Sequence, residues 1–385
     1  MSDYKDIQFS QEELARYDRH IILPAFGLAA QQKLKAAKVL VVGSGGLGSP
    51  LLLYLAAAGV GTMGIVDFDV VDDSNLQRQV LFGKKDIGQS KAQAAKSRLE
   101  SLNPYIDVQV YNTRLTSANA LEIIHGYDIV ADGTDNFPTR YLVNDACVLL
   151  GKTNVSASVF QFEGQVSVFN HLTSAGERGP NYRDLYPTPP PPDLVPNCAE
   201  GGVLGVLPGI LGSMQALEVI KIITGAGDPL TGRLFLFDAL SFQTHIFKVK
   251  RRDDNPLNGK NPSITQLLDY EFFCGLKTGR AIREITVQEF HQWRTSGESF
   301  QLIDVREPHE YEAINLGGEL IPLATVSDNR DRFSKDVKVV VHCRSGGRSA
   351  RAIRELEATF GLDNLYNLQG GLLAYHAGGF EYEDQ

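Results

Sequence analysis

The chain has 385 residues, enough for two or three domains. Apolar residues make up 43% and charged residues 22%, near globular averages, which argues against a disordered or fibrous chain. With 37 basic and 46 acidic side chains the net charge is −9, which argues against a phosphate-tracking nucleic-acid protein or a polybasic membrane binder.

The charged N-terminus does not read as a secretory signal. Four scattered cysteines, Cys147, Cys198, Cys274 and Cys343, cannot build a disulfide scaffold and suit a reducing cytoplasm. Ser10-Gln-Glu-Glu13 is a capping-box pattern, so a helix carrying Arg16 and Arg19 is expected to start there. Lys38–Gly43 reads as a buried parallel strand, Ser49–Ala58 as a helix closed by Gly59, and Thr62–Asp67 as a second strand. Val39–Val66 lacks charged residues and is long enough to span a bilayer, but its seven glycines break it into strand, turn, helix and strand.

Helical patterns at 90–102 and 117–125 and a strand at Asp128-Ile-Val-Ala-Asp-Gly continue an alternation that makes a doubly wound sheet. Beyond Gly151, the segments 155–162, 165–169, 233–237 and 242–248 read as paired antiparallel additions. Pro187–Pro196 can be neither helix nor central strand and reads as a surface crossover leading to Cys198. Residues 1–250 then form one domain. Residues 251–283, polar and rich in Asn and Pro up to about Gly279, read as a linker. Residues 284–385 form a second, smaller α/β unit with strands at 301–305 and 338–342 and a helix at 349–360.

Gly43-Ser-Gly45-Gly46-Leu-Gly48 between strand and helix lets a backbone approach phosphates at a helix N-terminus. Asp67, nineteen residues beyond Gly48, is placed to hold ribose hydroxyls. Alone, these features suit a dinucleotide. Arg78 and Lys91 follow, and cations there suit a triphosphate that loses pyrophosphate better than a nicotinamide. Asp132-Gly-Thr-Asp135-Asn136 closes a parallel strand, where a carboxylate can hold Mg²⁺.

The segments Arg16-Tyr-Asp-Arg-His-Ile-Ile-Leu-Pro24, GSGGLGSP, AGVGTMGIVDFDVVDDSNLQRQ, GTDNFPTRYLVNDAC and Cys198–Glu218 resemble the MoeB/ThiF adenylyltransferases, bacterial relatives of ubiquitin-activating enzymes. That resemblance implies a Rossmann-like doubly wound mixed sheet with antiparallel additions. It implies ATP-dependent adenylation of the C-terminal Gly-Gly carboxylate of a small ubiquitin-fold sulfur carrier of MoaD/ThiS type. By motif position Gly46, Asp67, Asn75, Arg78, Lys91, Asp135 and Asn136 would contact ATP or its metal, and Arg19 would enter a partner subunit's site in a homodimer. The family's two zinc-binding Cys-x-x-Cys pairs correspond here to Asn181-Tyr-Arg-Asp184 and Asn255-Pro-Leu-Asn258. Asn is a poor zinc ligand, so no structural zinc is expected and polar pairing is expected between the loops.

Val339–His342 runs into Cys343-Arg344-Ser345-Gly346-Gly347-Arg348, with a helix beginning at Ser349. Backbone N–H groups and two arginines there favour a thiolate. Cys343 and Arg348 are separated by one residue fewer than in the phosphatase pattern Cys-x5-Arg. Together with Leu302-Ile-Asp-Val-Arg-Glu-Pro, the loop resembles the rhodanese domain. That implies a Cys343 persulfide, loaded by a donor such as a cysteine desulfurase, in a loop that Arg344 and Arg348 hold open and positive.

Cys147 reads as core and Cys274 as incidental. Cys198, where the family has a cysteine implicated in thioester or acyl-disulfide chemistry, is either a participant or a bystander. A nicotinamide-dependent dehydrogenase and a non-catalytic scaffold remain the alternatives. Molybdopterin synthesis, thiamine synthesis, tRNA thiolation or another thio-metabolite could supply the client carrier.

Overall fold

The computed structural model describes residues 4–173, 176–190, 202–274 and 282–380. The chain divides between Leu276 and Lys277 into two units. In the first, the helix Gln11–Ile21 starts at the expected cap: Ser10 Oγ accepts the Glu13 N–H at 3.2 Å, and Glu13 Oε2 accepts the Ser10 N–H at 2.9 Å.

Eight strands follow: β1 (Lys38–Val42), β2 (Thr62–Val66), β3 (Asp107–Tyr111), β4 (Ile129–Asp132), β5 (Thr153–Phe160), β6 (Glu163–Phe169), β7 (Arg233–Asp238) and β8 (Gln243–Lys248). Their order is β3-β2-β1-β4-β5-β6-β7-β8. The sheet is parallel from β3 to β5 and antiparallel from β5 to β8. Strand order reverses between β1 and β4, which opens the crevice where doubly wound sheets bind ligands. The charge-free stretch 39–66 becomes β1, the helix Gly48–Ala58 and β2. A further apolar helix, Val206–Thr224, is long enough to cross a bilayer, yet it packs on β5, β6 and the helix Gly48–Ala58.

The segment 251–274 is not the free linker that its composition suggested. Asn255 Nδ2 donates to Asp184 Oδ1 at 2.7 Å, and the Tyr270 hydroxyl donates to Asp145 Oδ2 at 2.7 Å. Tyr270 and Cys274 are buried in the apolar cluster that holds Tyr141, Cys147 and Tyr182. Beneath them Arg183 pairs with Asp145 at 2.7 Å, with side chains 1% and 0% exposed. Hydrophobic periodicity does not register such a segment, because irregularly spaced polar side chains fasten its first part and a short apolar run its last.

The second unit has a five-stranded, wholly parallel sheet: β9 (Arg283–Ile285), β10 (Phe300–Asp304), β11 (Glu319–Leu320), β12 (Lys338–His342) and β13 (Leu365–Leu368). The order is β11-β10-β12-β13-β9, so β12 sits at the centre with Val339, Val340 and Val341 fully buried. The chain leaves β12 through the Cys343 loop and enters the helix Gly347–Phe360.

Candidate functional site

β1 runs into Gly43, whose φ of +87° only glycine adopts without strain. A Cβ on Gly43 would lie 3.2 Å from the Gly133 carbonyl, so the ends of β1 and β4 meet closely here. The turn is locked from β2: Asp67 Oδ2 accepts the Ser44 N–H at 2.8 Å and the Ser44 hydroxyl at 2.7 Å. Arg78 lies over the turn, its Cγ 3.6 Å from where a Gly46 Cβ would sit. Gly45 is roofed by Gln79 at 3.6 Å. Lys91 opens the helix Lys91–Leu102 with a buried stem, and its Nζ pairs with Asp69 Oδ2 at 3.1 Å.

At the end of β4 the buried Asp132 accepts from the Thr134 N–H at 3.0 Å and the Thr134 hydroxyl at 2.6 Å. Its Oδ2 is buried without a hydrogen-bond partner, and burial pushes its carboxyl above the usual range. Asp135 is exposed at the same strand end. Asn136 caps the helix Phe137–Leu149 by accepting the Thr139 N–H at 3.0 Å. Asn75 backs Arg78, its carbonyl accepting the Arg78 N–H at 3.1 Å.

The structure therefore gathers Gly43, Gly45, Gly46, Gly48, Asp67, Arg78, Lys91 and Asp135 at the carboxyl ends of β1, β2 and β4. Arg19 stands elsewhere, exposed on the last turn of the helix Gln11–Ile21. Cys198 lies outside the described residues. Two neighbours escaped the sequence reading: Asp69, which aims Lys91, and Arg140, whose Nη2 donates to the Thr134 carbonyl at 2.9 Å. The spacing of Arg140 four residues after the cap Asn136 was the available signal.

The four positions that match the zinc ligands form a hydrogen-bonded clasp. Asn181 Nδ2 donates to Asn258 Oδ1 at 3.1 Å, and the Asn181 N–H donates to Asp184 Oδ2 at 2.7 Å. Asp184 Oδ1 accepts from Asn255 Nδ2 at 2.7 Å and from the Arg252 N–H at 2.8 Å. Polar pairing thus joins the two loops as expected. Cys147 is fully buried, and burial pushes its thiol up. Burial pushes the Cys274 thiol up to about 12, which leaves it unreactive.

Cys343 Sγ, 1% exposed, accepts the Gly346 N–H at 3.2 Å and lies 3.5 Å from the Ser349 hydroxyl. Gly346 turns the loop at φ +90°. Of the two arginines expected to hold the loop open and positive, Arg348 does not supply a net positive charge. Arg348 donates Nη1 to Glu310 Oε2 at 2.6 Å and Nη2 to Glu310 Oε1 at 2.8 Å, so its charge is matched. Arg344 is exposed, and no carboxylate among the described residues pairs with it. Arg306, gripping Asp304 at 2.7 Å, also donates to the Glu310 carbonyl at 3.1 Å.

Residues 17–258 match the ThiF family and residues 286–378 match the rhodanese-like domain. The chain is 47% identical to the probable adenylyltransferase/sulfurtransferase MoeZ of Mycobacterium tuberculosis, across 95% of this chain and 93% of that protein. It is 42% identical to the adenylyltransferase and sulfurtransferase MOCS3 of Mus musculus, across 96% of this chain and 86% of that one. The sulfur carrier protein adenylyltransferase of Thermus thermophilus is 54% identical over 70% of this chain and all of its own length. Among solved structures, E. coli MccB with MccA-N7isoASN shares the fold, with a TM-score of 0.56 at 22% identity, covering 66% of this chain and 76% of that one. A mixed sheet with a glycine turn at the switch point of its parallel part, followed by a cysteine loop on a second, parallel sheet, agrees with both matches, and the chain belongs to the ThiF family, carries a rhodanese-like domain, and is an adenylyltransferase and sulfurtransferase.

Proposed function

We propose that the two units act in turn on the C-terminal Gly-Gly carboxylate of a small ubiquitin-fold sulfur carrier. The carboxylate attacks the α-phosphorus of ATP, pyrophosphate leaves, and an acyl-AMP remains. The glycine turn with its helix N-terminus would hold phosphates, Asp67 the ribose, and Arg78 and Lys91 the charge that builds on pyrophosphate. Asp135 supplies the oxygen donors that Mg²⁺ prefers, and the bound ion would offset phosphate charge. Arg19, exposed on its helix, is suited to reach a second copy of the chain, so a homodimer is part of the reading.

The terminal sulfur of a Cys343 persulfide then attacks the acyl carbon and AMP leaves, giving an acyl disulfide. A thiolate, from Cys198 or an external thiol, attacks the Cys343 sulfur of that disulfide. The carrier departs as a thiocarboxylate and a disulfide remains on Cys343. A cysteine desulfurase is the donor class that would reload Cys343. Among possible client pathways, molybdenum-cofactor synthesis is favoured by likeness to the proteins named MoeZ and MOCS3.

One observation carries the proposal: an exposed carboxylate, two cations and a glycine turn converge on one crevice of a chain that also carries a Cys343 loop. The test is carrier-dependent ATP–pyrophosphate exchange with a diglycine-tailed protein. Exchange that depends on Asp135 supports the proposal. A chain that binds NAD and forms no AMP-linked product would overturn it.

A further inference from the structure

Of the guanidiniums around the Cys343 loop, those of Arg348 and Arg306 are already occupied. Arg348 is held by both oxygens of Glu310. Glu310 is fixed in turn: its Oε2 also accepts the Glu307 N–H at 3.1 Å, closing a capping box on the helix Pro308–Ala313. Arg306, 3% exposed, binds the carboxylate of Asp304 and the carbonyls of Glu310 and Ile314. Arg348 and the Glu310 side chain are only 12% and 23% exposed, so the pair is shielded and costly to open. The Arg348 guanidinium holds the Glu310 carboxyl down to about 2, so the pair stays charged and matched at neutral pH. That leaves Arg344, exposed and without a carboxylate partner among the described residues, as the open cation of the loop.

A small inorganic donor such as thiosulfate makes a specific demand here. The Cys343 thiolate attacks the outer sulfur, the S–S bond to the sulfonate breaks, and sulfite leaves with the electron pair. A monoanion must therefore meet a dianion and release a dianion. Cations at the loop mouth offset that repulsion, and a guanidinium cancelled by a carboxylate does not. A persulfide presented on a cysteine of another protein brings less charge, and its leaving group is a single thiolate.

We infer that Glu310 is a specificity-determining residue: by cancelling Arg348 it disfavours small dianionic sulfur donors at Cys343 and favours sulfur delivered as a protein-bound persulfide. The inference rests on Cys343 being the sulfur-carrying residue.

The test uses the full chain and two donors, thiosulfate with cyanide as acceptor and a cysteine desulfurase carrying its persulfide. Glu310→Gln keeps an acceptor for the Glu307 N–H but removes the charge. It is expected to raise kcat/KM for thiosulfate by about tenfold relative to loading from the desulfurase, mainly through a lower KM that rises with ionic strength. Adding Arg348→Gln to that variant should erase the gain, a coupling that a merely loosened loop would not give. Ser345→Lys, at an exposed loop position, adds a cation without touching the pair and should shift preference the same way. If neither Glu310→Gln nor Ser345→Lys raises thiosulfate turnover while Cys343 still gains a sulfur atom from the desulfurase, the inference is overturned. A wild-type Cys343 that gains sulfur from neither donor would instead sink the underlying assignment.

Discussion

The two working loops share a plan: each leaves a central parallel strand and enters a helix N-terminus, at Gly43 after β1 and at Cys343 after β12. They treat charge in opposite ways. At the Gly43 loop Asp135 is exposed, Arg78 donates to the Ser74 carbonyl at 3.3 Å with no carboxylate partner among the described residues, and Lys91 is held by an Asp69 side chain that is 50% exposed. At the Cys343 loop the thiol is buried and Arg306 and Arg348 are both paired with carboxylates. A triphosphate brings enough charge to repay the desolvation of open cations. A single sulfur does not, so the protein itself matches Arg306 and Arg348 and leaves Arg344 exposed.

Loss of one loop should therefore leave the other working. Cys343→Ala is expected to abolish thiocarboxylate formation while carrier-dependent pyrophosphate exchange persists. Asp135→Ala should cut exchange on the order of a hundredfold or more, and thiocarboxylate formation with it, while Cys343 still accepts sulfur. Both follow from parallel assays of exchange and of the Cys343 peptide mass. Equal loss of both activities in either variant would show that the loops are not independent.

The next expected effect lies in the first unit and concerns what its sequence concealed. Strands β1, β2, β4 and β12 were legible because they are short β-branched runs, and the helix at Ser10 because its capping box is local. The Asp145–Arg183–Tyr270 network was not, since its members lie 38 and 125 residues from Asp145. Glu310 and Arg348, 38 residues apart, were hidden likewise, and so an arginine expected to keep its loop positive turned out paired with a carboxylate. Motif positions, by contrast, named Gly43, Asp67, Arg78, Lys91 and Asp135, which the strand ends bring together whatever lies between. Arg183→Met would leave the buried Asp145 charge unmatched and should cost about 3–5 kcal/mol in the first unit. Denaturant unfolding checks this, and a change below about 1 kcal/mol would mean that the 251–274 segment contributes little.

A smaller effect is expected at the polar clasp. Asn255→Ala removes a donor from Asp184 and should cost about 1–3 kcal/mol. If the clasp acts in place of a metal, chelator treatment should leave the melting temperature of both proteins unchanged, and a chelator-sensitive wild type would contradict it.

The finest distinction is the pH response of the two units. His342, fully buried and 3.8 Å from Asp304, is held by burial at about 4 instead of the usual 6.5. Between those values the unfolded chain binds a proton that the folded unit refuses, so stability of the second unit falls as pH drops from 6.5 and levels near 4. Glu310 adds a lower window: its contribution is complete above 4.5 and is lost as pH falls through about 2. Asp132 in the first unit has the opposite sign, because burial raises its carboxyl and the contribution of the neutral form is lost as pH climbs through the folded value. Acidification from pH 6.5 to 4 should therefore weaken the second unit by at most about 1.4 kcal/mol per pH unit through His342, with no matching loss from Asp132. Hydrogen exchange resolved by unit measures this, and His342→Asn should flatten the slope of the second unit alone; an unchanged slope would mean that the imidazole is not the group that titrates.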